Sequence, residues 1–458
     1  MALRAYDSIP GPKEPPIIGS VLRRFSGPLA FFREMHATCG DAARFTLFRE
    51  KFILFSDPAL IDEVLITKNK SFRKGKALEG ARVFLGNSLL VSEGDEHTRQ
   101  RRLIQPAFHK ARIAGYAAIM AECAKTWSDS QRAGAEIDLA VEMNRLTLAV
   151  VASTLFGSDV DHEAGDIAAS LTVIIESFNQ MLLPLWRYWR NLPLPQNRRL
   201  RAAQRKLDAT IYRLISARRQ DGRDHGDLLS MLLAAEDAED AKKRLTDVEI
   251  RDQAMTLFLA GHETTANALA WTWHLLAQHD DVRVKMKAEV DALLGPERLP
   301  TLDDTQRLPY TMAVMSEAMR LYPPVWVVGR RALEDVTIGD YAVPARTIVI
   351  MSQFILHNDP RWWPDAAEFR PGRWLDEAAT AARPKFAYFP FGGGARKCIG
   401  DMFAWTEGVI LLAVMVRRWK FEPVPGHPIE LNPTVTLRPK HGLKMIAREA
   451  GSCVPCRG

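Results

Sequence analysis

Apolar residues recur at helical spacing through most of this chain. Strand-like runs are few. "RFTLFRE" and "KFILFSD", Arg44–Asp57, are rich in β-branched and aromatic residues and predict a β-hairpin. "TIVIMS", Thr347–Ser352, and "TVTLRP", Thr434–Pro439, predict further strands. The pattern as a whole predicts a mainly α fold with small sheets toward both ends.

One helix stands out. "RLTDVEIRDQAMTLFLAGHETTANALAWTWHLLAQHD" opens with Thr246 and Glu249 at the spacing of a capping box. Nothing stops it before Gln278, so at about 1.5 Å per residue it would run ~45–50 Å. It is apolar on several faces and should be buried. Its middle nevertheless reads Ala260-Gly261-His262-Glu263-Thr264-Thr265. A mid-helix Gly costs about 1 kcal/mol against Ala, and a buried carboxylate costs more unless paired. Either the helix kinks there with back-bonded threonines, or function has overridden the local rules.

Composition changes this picture little. The 458 residues include no Gly/Ser linker, charge block or repeat, so a single domain over 1–458 is expected. The net charge of +6 suits an acidic partner or a membrane surface. No zinc-finger spacing or RNA-binding signature supports nucleic acid. Five scattered cysteines (Cys39, Cys123, Cys398, Cys453 and Cys456) argue against a disulfide framework and for a reducing compartment. The "CVPC" tail has no second ligand pair and reads as solvated thiols. The N-terminus has no apolar h-region, and "VILLAVMV", Val409–Val416, is too short to span a bilayer. A soluble, cytoplasmic protein is expected.

The chemistry concentrates in "FPFGGGARKCIG", Phe389–Gly400. A phosphate loop would need Ser or Thr after Lys397, where Cys398 stands. Zinc would need companion ligands at short spacing, and there are none. The remaining reading is a thiolate presented to a close-lying flat cofactor. Gly392, Gly393 and Gly394 permit close backbone approach. Cys398 is placed at the start of an apolar helix, whose N-terminus favours thiolate. Gly400 keeps the next turn thin, and Arg396 is positioned for an acidic group on the same ligand.

Phe391-x-x-Gly394-x-Arg396-x-Cys398-x-Gly400 resembles the haem-binding signature of the cytochrome P450 family. Three further segments in the expected order extend the resemblance. Glu317-x-x-Arg320 and Arg373 of "EFRPGRW" resemble the family's buried ionic triad. Ala260–Thr265 resembles its oxygen-binding motif. The resemblance covers nearly the whole chain, from "IPGP" at Ile9–Pro12 to "TLRP". It implies haem b as cofactor, with Cys398 as the axial metal ligand. It implies that His97, Arg101, Arg330 and Arg396 bind the haem propionates, with Arg331 as a possible substitute for Arg330.

It further implies a monooxygenase that inserts one atom of O2 into an apolar small molecule. Thr264 would donate a hydrogen bond to the oxygen, and Glu263 would relay protons from solvent. Ala260 and Gly261 would leave room for oxygen, and His262 would serve helix packing. The implied substrate pocket takes Phe84, Leu85, Leu89, Met255, Phe258, Ala260, Val325, Trp326, Val327 and Val435. Arg82 is the one nearby cation for a carboxylate. The pattern, including "RYWRNLPLPQNRRL", resembles bacterial terpene oxygenases. A fatty-acid or steroid hydroxylase is the alternative within the class, and a non-catalytic haem ligand-binding protein the alternative outside it. Met181–Pro195 joins aromatics to arginines and reads either as a substrate-entry lid that touches membrane, the favoured reading, or as a packed helix junction. The chain ends at Gly458 without a flavin or iron–sulfur module. A separate ferredoxin or flavodoxin with its reductase is therefore expected to dock on a basic patch of Arg102, Lys110, Arg112 and Lys397. The protein should be a monomer and should not bind nucleic acid.

Overall fold

The computed structural model describes residues 3–13, 19–20, 27–157, 167, 169–174, 177, 189, 192–237 and 240–451. Most of the expected lid, Met181–Pro195, and the tail cysteines Cys453 and Cys456 lie outside the described residues. The chain forms two compact units, Met1–Glu79 with Glu317–Cys398, and Gly80–Ser316 with Ile399–Gly458.

The first unit is built on a five-stranded sheet. Its strands are β1 (Ala42–Leu47), β2 (Glu50–Phe55), β3 (Phe72–Lys74), β5 (Val328–Ala332) and β6 (Ile348–Met351). The order is β1-β2-β6-β5-β3. The β1–β2 hairpin pairs Ala42 with Phe55 through Leu47 with Glu50, where the aromatic runs predict it. β6 joins β2 in parallel and β5 antiparallel. The strand predicted at Thr347–Ser352 is therefore central in its sheet. Ile53, Phe55, Val349 and Met351 share a core with Ile61, Leu65, Phe386 and Phe389. The last two belong to the approach to the glycine loop, so that loop is rooted in the core of the sheet unit.

The second unit is helical. Its principal helices are α1 (Gly94–Ile104), α2 (Leu139–Phe156), α3 (Pro195–Asp221), α4 (Asp247–Leu276) and α6 (Asp401–Arg418). α5 (Pro309–Leu321) carries the chain from the second unit into the first. α4 is the long helix expected from the sequence. Thr246 caps it, and both halves of the capping box with Glu249 are formed. It ends at Leu276, two residues before the predicted Gln278. Its 30 residues span ~45 Å. α4 packs along α2 and is buried on most sides. That all-round contact explains why it shows no clean amphipathic stripe.

Among the described residues, α2 is the helix long and apolar enough to cross a membrane, and 61% of it is buried. Val409–Val416 forms the buried middle of α6. A small sheet of β4 (Glu136–Asp138), β10 (Lys444–Glu449) and β7 (Trp419–Pro423) completes the unit. The strand expected across Thr434–Pro439 is narrower. β9 (Leu437–Pro439) pairs with β8 (Leu431–Pro433), and Thr434–Thr436 forms the connection between them.

Candidate active site

Glycine geometry shapes the loop Phe389–Gly400. Gly392 and Gly394 both have φ of +69°, a left-handed conformation that side chains resist. A Cβ on Gly394 would lie 1.9 Å from the Leu65 carbonyl oxygen, and one on Gly393 would lie 2.5 Å from the Phe386 ring. The Cys398 N–H donates to the Phe391 carbonyl at 3.0 Å and closes the loop. The Cys398 side chain is exposed. Helix α6 starts three residues later, at Asp401, because Ile399 and Gly400 form a turn. Cys398 thus precedes the helix rather than opening it as expected. The Arg396 guanidinium donates to the Phe72 carbonyl on β3 at 3.2 Å.

The loop's anchorage traces back to Glu317, at the C-terminal end of α5. Arg320 Nε donates to Glu317 Oε2 at 2.9 Å, and Arg373 Nε donates to Oε1 at 2.9 Å. Trp374 Nε1–H adds a third donor at 2.9 Å. Arg320 also donates to the carbonyls of His357 and Ala366, both at 2.8 Å. His357, which the sequence reading passed over, extends this network to the loop. Its Nε2 accepts from the Phe389 N–H at 3.0 Å. Burial pushes the imidazole down to about 3, so it is neutral. Since Nε2 accepts, the proton resides on Nδ1.

Cations gather around β3 in the same unit. Lys74 stands directly opposite Arg330 across the β3–β5 ladder, so their side chains share one face. Arg331 and Arg73 share the other face, where Glu79 lies 3.6 Å from Arg73. Lys74 was also missed, since an isolated lysine in "FRKGK" carries no signal of its own.

In the helical unit, Glu263 is buried. The Arg438 guanidinium and the Thr436 hydroxyl both donate to its Oε1. The link has a helical logic: Glu263, Asn267 and Trp271 succeed one another at i, i+4 and i+8 on α4. Asn267 Nδ2 donates to Thr436 Oγ1 at 3.2 Å, and Trp271 Nε1 to the Leu437 carbonyl at 2.9 Å. One face of the helix is therefore stitched to residues 436–438. Thr264 Oγ1 donates back to the Ala260 carbonyl at 2.7 Å. Ala260 is exposed in the middle of this otherwise buried helix. Gly261 turns the other way, and its Cβ position lies 3.2 Å from Val151 of α2. Its smallness lets α4 approach α2 closely at this turn. His262 is buried and its imidazole pushed down by desolvation. Its Nδ1 donates to the Phe258 carbonyl at 2.7 Å, and its own carbonyl accepts from Thr147 at 2.9 Å.

His97 is buried on α1, with Arg101 one turn on. Of the expected pocket residues in this unit, Phe84, Leu85, Met255 and Phe258 belong to the hydrophobic core, with Phe258 stacked on Phe156 at 4.8 Å. Leu89 is partly buried, and Val435 is exposed beside Thr436. Arg82 is exposed, with its guanidinium donating to the Val91 carbonyl at 3.2 Å. In the sheet unit, Trp326 is core and its carbonyl accepts from Ser352 at 2.9 Å, while Val325 and Val327 beside it are partly exposed.

A model of the Cytochrome P450 family matches residues 9–446. The chain belongs to the cytochrome P450 family. It is 39% identical to cyclooctatin synthase of Streptomyces melanosporofaciens, with 92% of each chain covered. It is 38% identical to cyclooctat-9-en-7-ol 5-monooxygenase of the same organism, covering 92% of this chain and 91% of the other. A retinoic-acid-bound cyanobacterial structure matches with a TM-score of 0.87 at 26% identity, covering 98% of this chain and all of that one.

As a cytochrome P450 monooxygenase, the protein uses haem b. The residues present fit that group. Gly393 and Gly394 let the loop pack directly on Phe386 and Leu65, where no Cβ fits, and the loop so held presents an exposed thiol as the ligand. Lys74 and Arg330 supply positive charge on one face of the neighbouring strands, suited to carboxylates.

A second acid in the helical unit escaped the sequence reading. Glu407 of α6 is fully buried, and burial pushes its carboxyl up to about 8, tempered by the Thr265 hydroxyl beside it. Burial thus favours its neutral form. Of the expected docking cations, Arg112 is held by Asp224 at 3.0 Å, and Lys110 lies 3.8 Å from Asp303. Arg102 and Lys397 are exposed.

Proposed function

We propose that this cytochrome P450 oxygenates an apolar terpene or terpenoid, and that its two units act as one catalytic domain. The observation that carries the substrate class is near-full-length similarity to terpene-oxidising relatives, among them pentalenene oxygenase of Streptomyces avermitilis at 34% identity over 95% of this chain and 96% of the other. The apolar character of the proposed lining agrees with it. Arg82, the nearby cation, is already engaged by the Val91 carbonyl.

Cys398 would bind the haem iron, and His97, Arg101, Arg330, Arg396 and Lys74 would hold its propionates. Haem would supply the iron chemistry that activates dioxygen, with the Cys398 thiolate donating electron density to it. Thr264, whose hydroxyl donates to the Ala260 carbonyl, would be free to turn that donor toward the reaction centre. Glu263 carries protons inward, with Arg438 and Thr436 fixing its position. Arg438 is partly exposed and connects this pair to solvent. Glu317, Arg320 and Arg373 hold the thiolate loop through His357. Electrons come from an acidic ferredoxin or flavodoxin with its reductase, delivered to a cytoplasmic monomer.

The test is a low-to-high-spin optical titration with a diterpene hydrocarbon, a steroid and a long-chain fatty acid, repeated in Arg82→Ala. The terpene should shift the spin state most strongly and equally in both proteins. Tight fatty-acid binding that collapses in Arg82→Ala would replace the terpene reading with a fatty-acid one.

A further inference from the structure

The turn of α4 that carries Glu263 and Thr264 is gripped from outside by α2. Thr147 and Val151 are four residues apart on α2, hence neighbours on one helix face. Val151 lies 3.2 Å from the Cβ position of Gly261. Thr147 is fully buried, and its hydroxyl donates to the His262 carbonyl at 2.9 Å. Two consecutive residues of the motif thus meet two consecutive turns of α2. The missing side chain of Gly261 permits the approach that brings the hydroxyl within reach.

A buried threonine in a helix has a ready partner in its own chain, the carbonyl four residues back. Thr154, also buried on α2, uses its own helix: its hydroxyl donates to the Val150 carbonyl at 2.8 Å, with the Val151 carbonyl at 3.3 Å. Thr147 has the Met143 carbonyl at 2.9 Å and the His262 carbonyl at the same distance. Its one proton is shared between the two helices.

The His262 carbonyl and the Glu263 N–H belong to one rigid amide. A donor on that oxygen fixes the tilt of the plane from which the Glu263 side chain departs. The His262 ring is tied as well, through Nδ1 to the Phe258 carbonyl at 2.7 Å. At its far end Glu263 is held by Arg438 and Thr436. Without the bond from Thr147, the acid would be fixed at its carboxylate and loose at its root. An outside donor also draws a helix carbonyl away from its intrahelical partner and bends the helix locally, here beside Thr264.

We infer that Thr147 is a positioning residue for proton delivery, holding the amide between His262 and Glu263 so that the acid and Thr264 keep their alignment. The inference rests on the relay role given to those two residues above.

Product formed per NADPH consumed tests it in the haem-loaded protein. A ferredoxin with its reductase serves as donor, and the ligand with the largest spin shift serves as substrate. Thr147→Val keeps the shape and removes the donor. Product per NADPH should fall roughly 3-fold, and the solvent deuterium isotope effect on NADPH consumption should rise, with the spin shift unchanged. Thr147→Ser should restore both. Thr154→Val removes a hydroxyl of the same kind from the same helix. It should leave both quantities at wild-type values even where it lowers the melting temperature as much. If Thr147→Val takes up no haem, Thr147→Ala carries the same expectation. Wild-type coupling without the Thr147 hydroxyl, an equal loss in Thr154→Val, or no recovery in Thr147→Ser overturns the inference. Thr264→Ala separates it from the relay beneath it. Full coupling in that variant fells the relay and the inference together, whereas uncoupling there but not in Thr147→Val fells the inference alone.

Discussion

Two side chains on neighbouring elements carry opposite proton chemistry. Thr264 spends its hydroxyl on the Ala260 carbonyl and can release it without leaving a buried orphan, because Ala260 is exposed. Thr264→Ala should therefore retain haem and substrate binding while losing product per electron. Peroxide and water formation, measured against donor consumption, should rise several-fold; unchanged coupling would leave Glu263 as the proton route without Thr264. Glu407 instead holds its proton. Its folded carboxyl titrates near 8 against an ordinary value of 4.5, so its contribution to stability is complete below 4.5 and is lost as pH rises through 8. The loss approaches ~1.4 kcal/mol per pH unit in that window. Glu407→Gln should flatten the alkaline side of the stability profile in thermal melts. His357 and His262, pushed down by burial, act on the acid side and leave the comparison clean.

The loop before α6 is the element most exposed to single substitutions. Gly394→Ala combines a left-handed φ with a Cβ 1.9 Å from a backbone carbonyl, and neither can be relieved by a side-chain rotation. The variant should lose haem, read as loss of the red-shifted Soret band of the reduced protein under carbon monoxide. The sheet unit's far-ultraviolet signature should survive, since its core is otherwise untouched. This loop was legible in the sequence because its constraints are local: glycine spacing, one arginine and one cysteine within a dozen residues. The capping box at Thr246 and the β1–β2 hairpin were legible for the same reason. Arg438 and Thr436 were not. They reach Glu263 across more than 170 residues, and no periodicity in either segment marks the pair. Lys74 gains meaning only from cross-strand register, and His357 only from the fold that brings Phe389 to its ring. Gly261, inside the same motif, also packs on a neighbouring helix through Val151, a contact that only the fold reveals.

At the scale of the whole molecule, exposed cations bear on how electrons are delivered. Arg102 and Lys397 are exposed, and Arg112 is paired with Asp224. Reduction by an acidic ferredoxin should slow as salt rises, and Arg102→Glu should cut the low-salt rate ~10-fold with little effect on the rate at high salt. Stopped-flow reduction under carbon monoxide measures both. A salt-independent rate would move the donor elsewhere on the surface. The turn at Thr434–Thr436 has a consequence for anyone reshaping this enzyme. Val435 is an exposed tip open to mutation, but its neighbour Thr436 and nearby Arg438 grip the acid on the long helix. On the roles proposed above, libraries built there to widen substrate range should also change how faithfully reducing equivalents end up in product, so the two traits would be inherited together rather than tuned apart.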